Sequence, residues 1–128
     1  MLTAEEHSSE ALDCLEISRR LIANGTLRPA SDILWLAVKH SISTIGIATG
    51  EDHGKYQHKR AIVRRLAAEH DEEQLGDALN VAMKIHADAD QGFLTVAELT
   101  SWQQRTYAFV DRLLNIATQL TTTQRQTN

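Results

Sequence analysis

Apolar residues recur at steps of three and four through most of this chain, the spacing that places side chains on one face of a helix. No comparable stretch alternates apolar and polar residues as a strand would. The pattern predicts an all-α fold. The predicted helices cover Ala4–Ala23, Pro29–Thr49, Tyr56–Glu69, a fourth segment that follows Asp71 and runs to Ala89, and Val96–Leu120.

The ends of these helices are marked by residues with special backbone or capping properties. Asn24-Gly25 supplies the left-handed residue that ends the first helix, and Gly50 and Gly92 mark the ends of the second and fourth helices. Asp71 is predicted to cap the fourth segment, and Thr95 forms a capping box with Glu98 before the fifth. We therefore predict an up-and-down bundle of four long helices with the third split or kinked, which makes five helical segments. Residues 1–120 are expected to form a single domain, and the polar residues 121–128 a disordered tail.

Composition indicates an ordinary globular protein of a reducing compartment. The chain has 128 residues, 42% hydrophobic and 23% charged, which suffices for one domain with its own core. Cys14 is the only cysteine and lies in the apolar pattern of the first helix, so we expect a buried thiol without a disulfide. The start MLTAEEHSSE lacks the order of a signal peptide, and no apolar run approaches the ~20 residues of a membrane helix. We predict a cytoplasmic protein with no membrane contact.

One short segment carries a charge opposite to that of the rest of the chain. The stretch His53–Ala68 contains five Lys or Arg residues and no acid, whereas the whole chain has a formal net charge of -4. A charge distribution this uneven favours binding of an anionic partner at the basic segment. On a helix, His58 and Arg65 share an edge bordering the apolar stripe. The predicted ligand-binding residues are His53, Lys55, His58, Lys59, Arg65 and His86.

Other interpretations of these residues stay open at this point. A solvated helix face with ion pairs to nearby acids would produce the same run of charge. The histidines at positions 53, 58, 70 and 86 lack the i, i+4 spacing typical of helical metal ligands, so we predict no metal site. The chain has no GxSxG elbow and no phosphate-binding loop, and we predict no cofactor.

A second pattern lies in the string Arg65-Leu-Ala-Ala-Glu-His70, where an arginine precedes a histidine by five positions. Three further features accompany this string: LWLAVKHSI in the second helix, a helix ending in AMKIHADA, and a capped last helix. Together they make residues Ala11–Ala117 resemble the HEPN-like superfamily of small helical bundles. The resemblance implies a dimer that either cuts RNA without a metal or binds a nucleotide, RNA or a partner enzyme. In catalytic members the arginine steadies phosphate charge and the histidine moves protons, which makes Arg65 and His70 the candidate catalytic residues. The string lies one helix earlier than in such members.

Three functions are therefore compared. The leading one is a HEPN-like dimeric bundle that binds an anionic ligand, nucleotide or RNA, without catalysis. The first alternative is a metal-independent HEPN-type endoribonuclease of the toxin kind. The second alternative is a protein–protein adaptor that works beside a nucleotidyltransferase, as some superfamily members do.

Overall fold

Five α-helices and their connections make up the part of the chain that the structure describes. The computed structural model describes residues 1–127, with side chains described through Thr122. The helices are α1 (Ala4–Ala23), α2 (Leu27–Thr49), α3 (Tyr56–Glu69), α4 (Gln74–Gln91) and α5 (Val96–Thr127). The predicted all-α bundle is confirmed. Within the described residues, every helix is too short or too polar to cross a membrane.

The second helix lies at the centre of the bundle, because α2 packs against each of the other four helices. α1 runs antiparallel to it. His7, near the start of α1, contacts His40 in the second half of α2, and Ser18, near the end of α1, donates to the carbonyl of Ala30 at 3.0 Å. The two helices thus form a hairpin closed by the turn at Asn24–Thr26.

The end of α4 and the start of α5 are both fastened to the start of α2. Asp88 is fully buried, and its Oδ1 accepts a hydrogen bond from the Leu94 N–H at 2.6 Å. Its Oδ2 forms an ion pair with Arg28, whose Nε lies 3.3 Å away, and Nη2 of Arg28 donates to the Leu94 carbonyl at 2.7 Å. Gln103 of α5 donates to the Leu27 carbonyl at 2.8 Å. α4 therefore runs antiparallel to α2 and α5 parallel to it, which completes an up-and-down bundle of α1, α2, α4 and α5.

The third helix folds back along the fourth and does not continue into it. Arg60 and Arg64 of α3 line one side of a narrow groove whose other side is formed by Gly76 and Asn80 of α4. The predicted third long helix is therefore split, and α3 is an additional short helix packed against α2 and α4.

The break between α3 and α4 corrects the predicted role of Asp71. Its φ is 53°, in the left-handed region, which aspartate tolerates better than most residues. The N–H groups of Asp71 and Glu72 donate to the carbonyls of Ala68 and Ala67 at 3.4 and 2.9 Å, a pattern that ends a helix. Asp71 thus terminates α3 and does not cap α4, which begins at Gln74.

Two further boundaries differ from the prediction. α2 begins at Leu27, two residues before Pro29, because proline is tolerated within a first helical turn. α5 continues through Thr127, so residues 121–127 prolong the helix that we expected to end at Leu120. Thr121 bonds back to the Ala117 carbonyl at 3.1 Å, which satisfies its hydroxyl inside a helix. The remaining residue of the predicted tail, Asn128, and the side chains after Thr122 lie outside the described residues.

The interior is filled by large apolar side chains contributed by the helices of the bundle. Those with almost no exposed surface include Leu34, Ile42, Ile45, Ile62, Leu66, Leu79, Ile85, Leu99 and Leu113. Cys14 is buried among them, which confirms the expectation for its thiol. Trp35 and Trp102 are half-buried and pack against the edge of this core.

Candidate ligand-binding site

The linker between α2 and α3 is held against α2 at His53. A Cβ atom added to Gly46 would lie 2.8 Å from the Cβ of His53, closer than side chains ordinarily approach. The absence of a side chain at position 46 therefore lets the linker lie directly on the helix. His53 Nδ1 is 2.9 Å from the hydroxyl of Ser43, one turn earlier on α2. The imidazole of His53 is thus fixed at the surface of the bundle.

Three imidazoles and one ammonium group meet beside this linker. Nδ1 of His7 lies 2.9 Å from Nδ1 of His40, so one ring donates its proton and the other accepts it. The His7 ring also meets the His53 ring edge-on, with centroids 5.9 Å apart. Lys59 of α3 is only 8% exposed and donates to the main-chain carbonyl of His53. We call His7, His40, His53 and Lys59 the imidazole–lysine cluster.

Burial and nearby cations lower the pKa of each of the four groups in this cluster. Burial lowers the pKa of Lys59. Burial, followed by repulsion from cationic neighbours, lowers the pKa of His7 and of His53. Burial also lowers the pKa of His40, although the nearby carboxylate of Glu10 acts in the opposite direction. An anion placed next to the cluster would offset this repulsion and favour the protonated forms.

Three of the predicted ligand-binding residues line one open groove. His53, Lys55 and His58 border a space of about 590 Å³, which lies within the range of small-molecule sites. Its other walls include the apolar side chain of Ile47, the backbone of the three glycines at positions 46, 50 and 54, and the acidic residues Glu51 and Asp52. Glu51 is already paired with the Arg65 guanidinium. The Lys55 N–H donates to His58 Nδ1 at 3.3 Å, which fixes the His58 ring at the start of α3. We call this space the linker groove.

Arg65 lies beside the linker groove but is held by carboxylates of its own chain. Its guanidinium donates to both carboxylate oxygens of Glu51, and its Nη1 donates to Glu69 at 2.8 Å. The bond from Arg65 lowers the pKa of Glu51, and the Glu51 carboxylate raises the pKa of Arg65. The positive charge predicted to bind a ligand is therefore balanced within the fold.

The two remaining predicted residues lie outside the linker groove. His70 is exposed and forms the C-cap of α3. His86 of α4 stacks on Trp35, with ring centroids 5.3 Å apart, and its Nδ1 lies 3.0 Å from an Asp32 oxygen. The structure thus brings His53, Lys55, His58 and Lys59 together, places Arg65 at their side, and separates His86 from them.

Most of this fold matches a known protein family. Residues 6–111 match the sequence model of the archaeal PaREP1/PaREP8 family. The chain belongs to that family. The matched range extends from the first turn of α1 into α5 and includes all four residues of the imidazole–lysine cluster. Searches of curated proteins and of solved structures gave no match.

Sequence reasoning missed two members of the cluster in this PaREP1/PaREP8 protein. His7 lies in the first turn of α1, and His40 lies in the middle of α2, thirty-three positions later. Neither belongs to the basic segment, and no local spacing links them. Their position at the border of an apolar helix face is the signal that favours partly buried roles for both. Within the described residues, no group of three or more side chains is arranged to hold a metal ion.

Proposed function

We propose that this PaREP1/PaREP8 protein is a HEPN-like dimeric bundle that binds an anionic ligand, a nucleotide or RNA, in the linker groove. The observation that carries the proposal is the meeting of His53, Lys55 and His58 around one groove, with the buried Lys59 directly behind it. The HEPN-like resemblance adds the dimer and the class of ligand.

The groove offers a different surface to each end of a nucleotide. Lys55 supplies an ammonium group, and the imidazoles of His53 and His58 supply ring N–H donors for phosphate oxygens. Ile47 and the glycine backbone supply an apolar wall against which a base or ribose packs. No covalent step is needed for this role.

Binding and protonation are coupled in this arrangement. Because burial and neighbouring cations lower the pKa of His53, its ring gains a proton more readily once a phosphate group offsets that repulsion. Affinity for a phosphate ligand therefore rises as the pH falls toward the ordinary range of histidine. Lys59 contributes a second positive charge behind the ring.

The informative substitutions are at the exposed Lys55 and the half-buried His58, since replacing Lys59 or Arg65 would also disturb folding. In the variant Lys55→Glu, His58→Gln, we expect the affinity for a nucleoside triphosphate and for a short RNA, measured by calorimetry, to fall at least tenfold. The matched control is Lys84→Glu, an exposed lysine of α4 that lies over the Trp102 ring. Its affinity should remain within about twofold of the unchanged protein.

The same assays distinguish ligand binding from RNA cleavage, and a further measurement tests the dimer. Equal affinity in the groove variant and the control would contradict ligand binding at this site. Cleavage of the RNA in the presence of EDTA that is lost in His70→Ala, a substitution at an exposed position, would indicate the ribonuclease. A monomer in analytical ultracentrifugation would contradict the dimer.

A further inference from the structure

A second groove lies between α4 and α5, on elements that do not contribute to the linker groove. Its floor is formed by Leu75 and Phe109, which are almost fully buried, and by the small side chains of Ala78 and Ala108. The space measures about 340 Å³, near the lower end of the range for small-molecule sites. We call it the α4–α5 groove. An apolar body of limited size fits between these two helices.

One end of the α4–α5 groove is already closed by an ion pair. Nε of Arg112 lies 3.0 Å from both carboxylate oxygens of Glu72, and its Nη2 donates to the same carboxylate at 2.6 Å. This bond lowers the pKa of Glu72. The Glu72 carboxylate therefore balances the charge of the Arg112 guanidinium, which is less available to an anionic ligand.

The other end of the groove carries an exposed arginine. Arg105 lines the groove and is exposed, and within residues 1–122 no carboxylate forms an ion pair with it. Arg105 and Arg112 are seven positions apart on α5, which puts them on one face and about 10 Å apart along the helix. The groove therefore has an apolar middle, a neutralised end and a positively charged end.

We propose that the α4–α5 groove binds a small amphipathic carboxylate. Its carboxylate pairs with the Arg105 guanidinium, and its apolar part lies over Leu75, Ala78 and Phe109 toward the Glu72–Arg112 pair. The fork of N–H groups on arginine matches the two oxygens of a carboxylate, which favours this head group over a neutral one. The length of the apolar middle selects a medium-chain aliphatic or a single-ring aromatic acid over a long-chain lipid.

The test compares three probes that differ only in one feature. Octanoate has both the charge and the apolar chain, octanol lacks the charge, and acetate lacks the chain. We expect octanoate, measured by amide chemical shifts of the full chain, to bind at least tenfold more tightly than either of the others. The shifted amides should lie in residues 72–78 and 105–112. Octanoate that binds no better than octanol and acetate would overturn the proposal.

Two variants test whether octanoate binds in the α4–α5 groove. Arg105→Gln should reduce octanoate affinity to that of octanol, and Ala78→Trp, which fills the groove, should abolish binding of both. Arg64→Gln is the matched control, because Arg64 is an exposed arginine of α3 that lines a different groove, between α3 and α4. Unchanged octanoate affinity in Arg105→Gln would contradict the head-group assignment whatever the outcome for Ala78→Trp. Octanoate binding in the α4–α5 groove does not depend on nucleotide binding in the linker groove, so the failure of one proposal leaves the other intact.

Discussion

Two glycines inside helices allow a direct test of how the linker packs on α2. Gly46 of α2 and Gly76 of α4 both have ordinary helical backbone angles, since the glycines with positive φ are Gly25, Gly50 and Gly92. Replacing a glycine in a helix interior by alanine usually stabilises a protein by about 1 kcal/mol. Nothing lies within 4 Å of a Cβ added at Gly76, which is in the first turn of α4, so Gly76→Ala should stabilise the fold by about 0.5 kcal/mol, the lower end of this effect.

Gly46→Ala should have the opposite effect. The added Cβ would lie 2.8, 3.1 and 3.2 Å from Cβ, Cγ and Cδ2 of His53, whereas carbon atoms pack best at about 3.5–4.0 Å. The linker must therefore move outward by roughly 0.7 Å or more, and overpacking of this kind costs about 1–3 kcal/mol. After the gain in helix propensity, we expect a net loss of about 1 kcal/mol, which puts the two variants about 1.5 kcal/mol apart.

Urea unfolding followed by circular dichroism measures both free energies of unfolding under identical conditions. Thermal melts should show midpoints that differ by roughly 6 °C for a domain of this size. Equal stabilisation in the two variants would refute the close contact between the linker and α2. Gly46→Ala should also weaken nucleotide binding, because the displaced residue His53 borders the linker groove.

Two further predictions concern the cluster and the turn between α4 and α5. Burial lowers the pKa of His40 in the folded protein below its ordinary value of 6.5. On acidification His40 is therefore protonated in the unfolded chain before it is protonated in the fold. The free energy of unfolding falls below that pH by up to about 1.4 kcal/mol per pH unit. Urea unfolding at about pH 7.5 and 5.5 should therefore show a smaller acid-induced loss for His40→Gln than for the control His70→Gln, and equal losses would count against the assignment. Asp88→Ala removes the buried acceptor of the Leu94 N–H and should cost about 3 kcal/mol, while the exposed neighbour Asp90→Ala should cost less than about 0.5 kcal/mol. Similar losses in the two aspartate variants would show that the buried carboxylate does not hold the turn.

The helices were predictable because their signals are local. The bounds of α1 and α3 agree with the prediction, since apolar periodicity and a left-handed or capping residue define each end within a few positions. Asp71 shows where local signals are ambiguous. Aspartate suits both an N-cap and a left-handed C-terminal position, and the choice between them depends on how α3 folds back along α4. That packing is not encoded within a few residues of the turn.

The candidate site was only partly predictable for the same reason. The charge of the basic segment pointed to His53, Lys55, His58 and Lys59, which lie within seven positions of one another. The state of Arg65 depends on a carboxylate fourteen positions away, across the end of α2. His7 and His40 join the cluster only through the packing of α1 on α2, so no spacing along the chain identifies them. Contacts between helices decide which charges stay available to a ligand.

The acceptor that anchors Lys59 is the main-chain carbonyl of His53 and not its ring. Every amino acid offers that oxygen, so the amine keeps its anchor when position 53 changes, provided the linker follows the same course. The two positions therefore differ in their freedom to evolve. Position 59 must retain a long side chain that ends in a donor, whereas a change at position 53 gives up the contact with the Ser43 hydroxyl but leaves the anchor of Lys59 in place.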